Sequence, residues 1–164
     1  MIEARRAHAG DVRAIRALVE PLAATRVLVS KDAVAYYEAV QQFRVVEDAG
    51  RLLGCGALHV MWEDLAEVRT LAVDPAATGK GVGGALLEAL LEDARELGIK
   101  RVFCLTFEVD FFSRHGFSSI EGQAVDPDVY AELLRSYDEG VAEFLDLERV
   151  KPNTLGNTRM LRTL

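Results

Sequence analysis

Residues 67–91, EVRTLAVDPAATGKGVGGALLEALL, limit the fold more than any other part of the chain. They open as an alternating run of β-branched and apolar residues and break at Asp74-Pro75. A glycine-rich turn at 78–84 follows, and leucines then recur at helical spacing. A strand, a loop of phosphate size and a helix N-terminus therefore stand in a row. Such a helix start presents unpaired backbone N–H groups and the positive end of the macrodipole, and glycines let a polyanion reach the backbone without meeting a Cβ. The expected guest is a phosphate-bearing cofactor.

Three kinds of phosphate loop use glycines in this way, and spacing separates them. A Walker A loop requires Gly-Lys followed by Ser or Thr, whereas Lys80 is followed by Gly81. Gly79-x-Gly81-x-x-Gly84 matches the dinucleotide fingerprint literally, with Glu108 at the end of the next expected strand where a ribose-binding acid would stand. In a Rossmann unit, however, the first glycine closes the strand directly. Here residues 74–78 intervene, and too little chain follows for a second mononucleotide-binding half. The third pattern fits the whole stretch. Leu71-Ala72-Val73-Asp74-Pro75, then Thr78-Gly79-Lys80-Gly81-Val82-Gly83, then Leu86-Leu87, resembles motif A of the GCN5-related N-acetyltransferases. The resemblance implies that the backbone of Leu71, Ala72 and Val73 pairs with the pantetheine arm of acetyl-CoA. It also implies that Thr78, Gly79, Lys80, Gly81, Val82 and Gly83 bind its pyrophosphate. Thr78 stands where those enzymes usually carry Gln or Arg, so one side-chain contact is weakened and Lys80 is the nearest replacement charge.

The chain of 164 residues, 50% of them apolar, is expected to form a single domain over residues 1–164 around one core. Its N-terminus has no apolar signal-like region and no stretch approaches membrane-spanning length, which predicts a cytoplasmic protein. Cys55 and Cys104 lie in apolar strand-like runs without metal-ligand spacing, so both read as core residues and no metal is expected. A net charge of −7 argues against nucleic-acid and anionic-membrane partners. Coenzyme A is itself polyanionic, so its site must be locally positive, and the helix N-terminus with Lys80 is the source.

Along the chain, residues 2–7 read as a short strand, and Asp11 as the N-cap of a helix with Val12, Ile15, Leu18 and Val19 on one face that stops near Pro21. Ser30 and Asp32 are competent N-caps for a second helix carrying Val34, Tyr37 and Val40. Strands at 43–47 and 52–62 flank a turn, and a third runs over 67–73. The helix at 81–97 ends before Gly98, and 101–107 reads as a buried strand parallel to 67–73. Residues 110–117, DFFSRHGF, read as a short helix ending in glycine and resemble motif B of the same acetyltransferases. A strand from 117, a helix from Asp126-Pro127 to about Tyr137 and a last strand at 158–164 complete the reading, and residues 140–157 carry no clear signal. The expected fold class is α/β (α+β): the GNAT fold, a mixed and mostly antiparallel sheet flanked by helices, with splayed central strands.

Acetyl transfer to an amine needs a deprotonated amine, a polarised thioester carbonyl and a stabilised leaving thiolate. The resemblance places Glu67 at the position of a catalytic base. Alternation puts Arg69 on the same strand face, so the two read either as base and carboxylate anchor or as a salt bridge on that face. Motif B usually supplies a tyrosine that protonates the thiolate and lies against the cofactor; Phe112 occupies that position. A thiolate of pKa about 8.5 leaves tolerably without an acid, and backbone amides or water suffice. Tyr130, Tyr137 and His115 read as structural. A covalent route through Cys104 is the rival chemistry, disfavoured because it has no histidine nearby in sequence.

The resemblance narrows further over most of the chain. Leu28-Val29-Ser30-Lys31, Gly54-Cys55-Gly56-Ala57-Leu58, residues 66–75, Phe103-Cys104-Leu105-Thr106 and, more loosely, Asn157-Thr158-Arg159-Met160-Leu161 are similar to the acetyltransferase domain of bacterial N-acetylglutamate synthases. The similarity is to the short, stand-alone form, with no amino-acid-kinase-like domain expected upstream. It implies that Lys31 anchors a substrate carboxylate and that Leu105 and Thr106 contact the acceptor, while Arg69 stays open between a second anchor and a salt bridge. His59 replaces a lysine, and either Lys151 or Arg159 supplies a cation from the tail. A histidine there carries only a conditional charge and suits glutamine as well as glutamate. The expected activity is acetylation of the α-amino group of L-glutamate or L-glutamine in arginine biosynthesis; the sequence leaves the assembly open, a homodimer included. The rivals are an acetyltransferase for another small amine or a protein N-terminus, and a non-catalytic acyl-CoA sensor.

Overall fold

The computed structural model describes residues 2–24 and 32–164. Among them run β1 (Arg5–Arg6), α1 (Val12–Ala24), α2 (Ala33–Glu38), β2 (Phe43–Asp48), β3 (Arg51–Trp62), β4 (Leu65–Val73), α3 (Val82–Glu96), β5 (Arg101–Thr106), α4 (Val109–Arg114), β6 (Ser118–Ser119), α5 (Pro127–Leu133), α6 (Glu139–Phe144), α7 (Lys151–Thr154) and β7 (Thr158–Thr163). The strand order is β1-β2-β3-β4-β5-β7-β6. β4 and β5 pair in parallel, while the β1–β2, β2–β3, β5–β7 and β6–β7 pairs are antiparallel. The expected mixed, mostly antiparallel sheet flanked by helices is what the chain forms. Two compact units divide it: Met1–His59 with Val68–Leu97, and Val60–Glu67 with Gly98–Leu164.

In the first unit, the turn between β2 and β3 places Ala49 and Gly50 at φ 50° and 80°, the paired left-handed residues of a tight hairpin. α1 lays Val12, Ile15 and Val19 on Val45, Cys55, Ala57 and Ala72, while Val82 and Leu86 of α3 pack with Val46 and Ala77. Gly54 makes the α3 packing possible: a Cβ there would lie 2.6 Å from Cγ1 of Val82 and 3.1 Å from the carbonyl oxygen of Ala72. Arg44 of β2 then fixes α3 through a fork, Nε and Nη2 donating to Asp93 at 2.8 and 2.5 Å. In the second unit, Phe103 of β5 meets Phe144 of α6 edge-on at 5.1 Å, within a cluster holding Leu65, Leu133, Val141 and Leu145.

Several elements differ from the sequence reading. β1 is two residues long rather than six. Asp11 does not cap α1. Its carboxylate accepts from the His8 N–H at 2.6 Å and from Nη1 and Nη2 of Arg5 at 2.8 and 3.1 Å, closing the turn that precedes the helix. α1 runs through Pro21 to Ala24, because a proline forfeits one hydrogen bond while Leu18 and Leu22 on either side still pack on the core below. α2 buries Tyr36, at 2% exposure, and leaves Val34 and Tyr37 outside, while Val40, just past the helix, packs on the core, so of the three spaced residues only Val40 faces inward. α5 stops at Leu133, and Tyr137 is fully exposed. The signal-poor 140–157 region forms α6, a 3₁₀ turn at Glu148–Val150 and α7.

Two predictions follow from the ion pairs of the first unit. Asp93→Ala leaves the Arg44 guanidinium without its carboxylate and is expected to cost about 3 kcal/mol. That is a fall in Tm of roughly 6–12 °C for a chain of this size, readable by calorimetry. The Arg5 guanidinium holds the Asp11 carboxyl below the usual carboxylate range, against burial, which acts the other way. A depressed pKa contributes stability that is complete above the ordinary value and is lost as pH falls through the depressed one. The Tm difference between the wild type and Asp11→Asn should therefore be full at pH 6, shrink below about pH 4 and close at lower pH.

Candidate active site

The glycine loop sits where β4 gives way to α3. Asp74 accepts from the Ala76 N–H at 2.9 Å and pairs with Arg51, fixing a 3₁₀ turn at Pro75–Ala77 between the strand and the glycines. Gly79 and Gly81 follow at φ 82° and 84°, conformations open to glycine and strained for other residues. Gly81 is the N-cap of the 15-residue α3, with no side-chain cap and no acidic residue in the first turn. The positive end of the helix is thus left unneutralised, as a phosphate requires. A cavity of about 370 Å³ borders the loop, lined by Val46, Leu53, Ala77 and Val82, with Lys80 and Arg51 at its exposed edge. Glu47 and Asp48 also line it, so a polyanion is better served by the loop amides than by this cavity.

β4 approaches the loop with its backbone in a particular order. The Asp74 N–H donates to the Leu53 carbonyl at 2.8 Å, and Ala72 turns its carbonyl toward Gly54 of β3. Leu71, Ala72 and Val73 are the last three residues of β4 ahead of that bond to β3. Thr70, just before them, lies at φ 57° and is 8% exposed. A β-branched residue in the left-handed region is an outlier, and it interrupts the pleat of the strand immediately ahead of Leu71. The sequence reading missed it, since a threonine in an apolar strand signals ordinary extended backbone. Arg69 is half-buried. His59, also half-buried, has Nδ1 3.3 Å from Oε1 of Gln42.

In the second unit, Glu67 is 3% exposed and is the last β4 residue paired with β5, opposite Phe103. Leu105 and Arg159 face each other across the β5–β7 ladder, and Thr106 faces Thr158, so three of the expected acceptor residues share one short stretch. The Arg159 Nη2 donates to the carbonyls of Phe144 and, at 3.1 Å, Gly122, while its buried Nε has no partner among the described residues. Burial lowers the pKa of this guanidinium, against the pull of Asp146. Lys151, the other tail cation, pairs with Asp146. The Thr106 hydroxyl accepts from the Glu108 N–H at 2.7 Å. Phe112 is 5% exposed, with its ring edge-on to Phe111 and Phe117 at 5.2 Å each. The Cys104 thiol is 1% exposed and is pushed far above its ordinary pKa by burial first and by Glu67 second, so it supplies no thiolate for a covalent route. Lys31 and the neighbouring Leu28, Val29 and Ser30 lie outside the described residues.

The model of the acetyltransferase (GNAT) family matches residues 15–117, which include the strand, the loop, α3 and motif B. The chain belongs to the GNAT acetyltransferase family. This GNAT chain is 56% identical over 163 residues to an amino-acid acetyltransferase of Mycobacterium tuberculosis, covering 98% of the chain and 93% of the relative. A crystal structure of Rv2747 from Mycobacterium tuberculosis in complex with CoA and NLQ has a TM-score of 0.95, with 56% identity and 98% of both chains covered. The N-acetylglutamate synthase of Neisseria gonorrhoeae, complexed with coenzyme A and N-acetyl-glutamate, has a TM-score of 0.80 at 26% identity. It covers all of this chain, which spans only 35% of that longer protein. The GNAT chain is an acetyl-CoA-dependent N-acetyltransferase. The Walker A and Rossmann alternatives have no place in it. Among the described residues no group of three or more His, Cys, Asp or Glu side chains is gathered as a metal site, and no helix is long and apolar enough to cross a membrane.

Gly81 provides a direct test of the loop. A Cβ at Gly81 would meet only Ile2, at 3.9 Å, so Gly81→Ala offends the backbone and not the packing. The variant is expected to raise KM for acetyl-CoA about tenfold or more, the equivalent of the roughly 1–2 kcal/mol that alanine pays in the left-handed region. Tm should change by only a few degrees, and initial rates with thermal melts separate the two effects.

Proposed function

We propose that this chain, acting as one domain over residues 1–164, transfers the acetyl group of acetyl-CoA to the α-amino group of L-glutamate, and also of L-glutamine, as the first step of arginine biosynthesis in the cytoplasm. The observation that carries the reading is the arrangement of β4: a buried carboxylate at Glu67, then left-handed Thr70, then Leu71, Ala72 and Val73 leading to the Asp74 N–H bonded to Leu53 of β3. The name of the Mycobacterium tuberculosis relative and the N-acetyl-glutamate in the Neisseria gonorrhoeae complex support an amino-acid acceptor of this class.

Each residue then has a task. Amides of the loop from Thr78 to Gly83 hold the pyrophosphate, with Lys80 adding charge from the exposed side. Leu71, Ala72 and Val73 hold the pantetheine arm by backbone pairing, and the Leu71 N–H donates to the thioester carbonyl. Such a donor withdraws charge from the carbonyl where negative charge develops during attack. Glu67 takes the proton of the acceptor ammonium, directly or through water, so that the free amine attacks. Lys31, Arg69 and Arg159 receive the acceptor carboxylates, Arg159 with the donors that Gly122 and Phe144 leave over, and Leu105 and Thr106 bound the acceptor from β5. His59 meets the acceptor side chain, as a donor to a carboxylate when protonated and as an acceptor or donor to a carboxamide when neutral. Phe112 braces α4 and presents the remaining edge of its ring to the cofactor. The leaving thiolate departs without a tyrosine. The active species is a monomer or a homodimer.

Thiol release from acetyl-CoA, measured against the twenty amino acids at neutral pH, decides the acceptor. Release confined to glutamate and glutamine is the expected result, and release with neither of them overturns the assignment. Within the same assay, Glu67→Gln should lower kcat by about 10²–10⁴-fold, the usual span for loss of a general base, and leave KM for acetyl-CoA within about threefold.

A further inference from the structure

The left-handed Thr70 has a partner that the reaction scheme leaves unused. Cys55, fully buried on β3, donates its thiol to the Thr70 carbonyl at 3.5 Å. Most of the surroundings are apolar, with Val12, Ile15, Ala57 and Ala72 in the same cluster, and the polar neighbour is Tyr36, whose hydroxyl interacts electrostatically with Cys55. A weak hydrogen bond gains strength in so poor a dielectric.

What that bond controls follows from the planarity of the peptide. The Thr70 carbonyl and the Leu71 N–H belong to one trans peptide unit and point in opposite directions. Whatever holds the carbonyl therefore aims the N–H. A β-branched residue at φ 57° tends to relax toward extended backbone, which rotates this peptide plane and swings the N–H off its line. We propose that Cys55 is a positioning residue for acetyl transfer: its thiol holds the Thr70 carbonyl and thereby fixes the direction of the Leu71 N–H. The inference rests on the assignment of that N–H to the thioester carbonyl. It requires no reactivity of the cysteine, which stays buried.

The test compares Cys55→Ala, which removes the donor, with Cys55→Ser, which keeps one, in the wild-type background and with Thr70→Gly. Steady-state rates are measured on the whole chain with acetyl-CoA and its preferred amino acid, and thermal melts are run in parallel. Cys55→Ala is expected to lower kcat about 2–5-fold, the scale of one weak hydrogen bond. KM for acetyl-CoA should stay within about twofold, and Cys55→Ser should recover most of the loss. Glycine adopts the left-handed conformation without strain, so Cys55→Ala in the Thr70→Gly background is expected to change kcat by less than about twofold. A kcat that Cys55→Ala leaves unchanged, an equal loss in the alanine and serine variants, or the same loss in both Thr70 backgrounds overturns the proposal and leaves Cys55 a packing residue. If the wild type itself releases no thiol with any amino acid, the acceptor assignment has failed instead, and the two failures are told apart by that first measurement.

Discussion

A helix can offer its N-terminus to a polyanion only if something else fixes the helix. In this GNAT chain the Arg44–Asp93 fork does so near the C-terminal end of α3, joining it to β2 by two charge-assisted hydrogen bonds. At the other end the missing Cβ of Gly54 lets Val82 press onto β3. Held at both ends, α3 brings Gly81 and the uncapped first turn to one place beside Val73. The Asp74 turn then sets the length of backbone between strand and helix. The acidity of the whole chain is no obstacle to a polyanionic guest, because the local field at that spot is made by backbone dipoles and its first turn holds no acidic residue.

The parts of this site legible in the sequence are those whose chemistry is local. Glycines at the left-handed positions of the loop, a proline after the strand and leucines at helical spacing each state a backbone requirement within a few residues, and the structure meets them at Gly79, Gly81 and α3. Motif B was legible for the same reason, with Gly116 at φ 85° closing α4. What could not be read depends on distant partners. Thr70 carries every mark of an extended residue and takes a left-handed one because of what surrounds it. Val34 and Tyr37 share helical spacing with Val40, yet the core takes Tyr36 and Val40 and leaves the other two outside, and a six-residue helix is too short for its pattern to decide. Residues 140–157 fold into turns and helices of three to six residues, below the length at which periodicity speaks.

Charged residues were the least legible, because a sequence shows a cation and not what it already holds. Lys151 and Arg159 looked alike as tail cations. In the fold Lys151 is matched to a carboxylate, whereas Arg159 gives two bonds to neutral carbonyls and keeps its formal charge uncompensated by any direct ion pair among the described residues. Under the proposed function, that difference favours Arg159 for the second carboxylate of the acceptor. Asp11 tells the same story with the opposite sign: a residue fit to cap a helix serves instead as the hub for Arg5 and the His8 amide.

The outermost strands are the shortest. β1 at one margin of the strand order and β6 at the other contain two residues each, and the β1 pair is Arg5-Arg6. A margin that short displays hardly any row of unpaired amides and carbonyls, and positive charge on one of them repels a like copy. Strand-to-strand templating between copies is thereby discouraged at both ends. Self-association of this enzyme through an added strand is thereby disfavoured at these two margins, whereas contacts made by side chains would be adjustable by single substitutions without touching the ladder of the sheet.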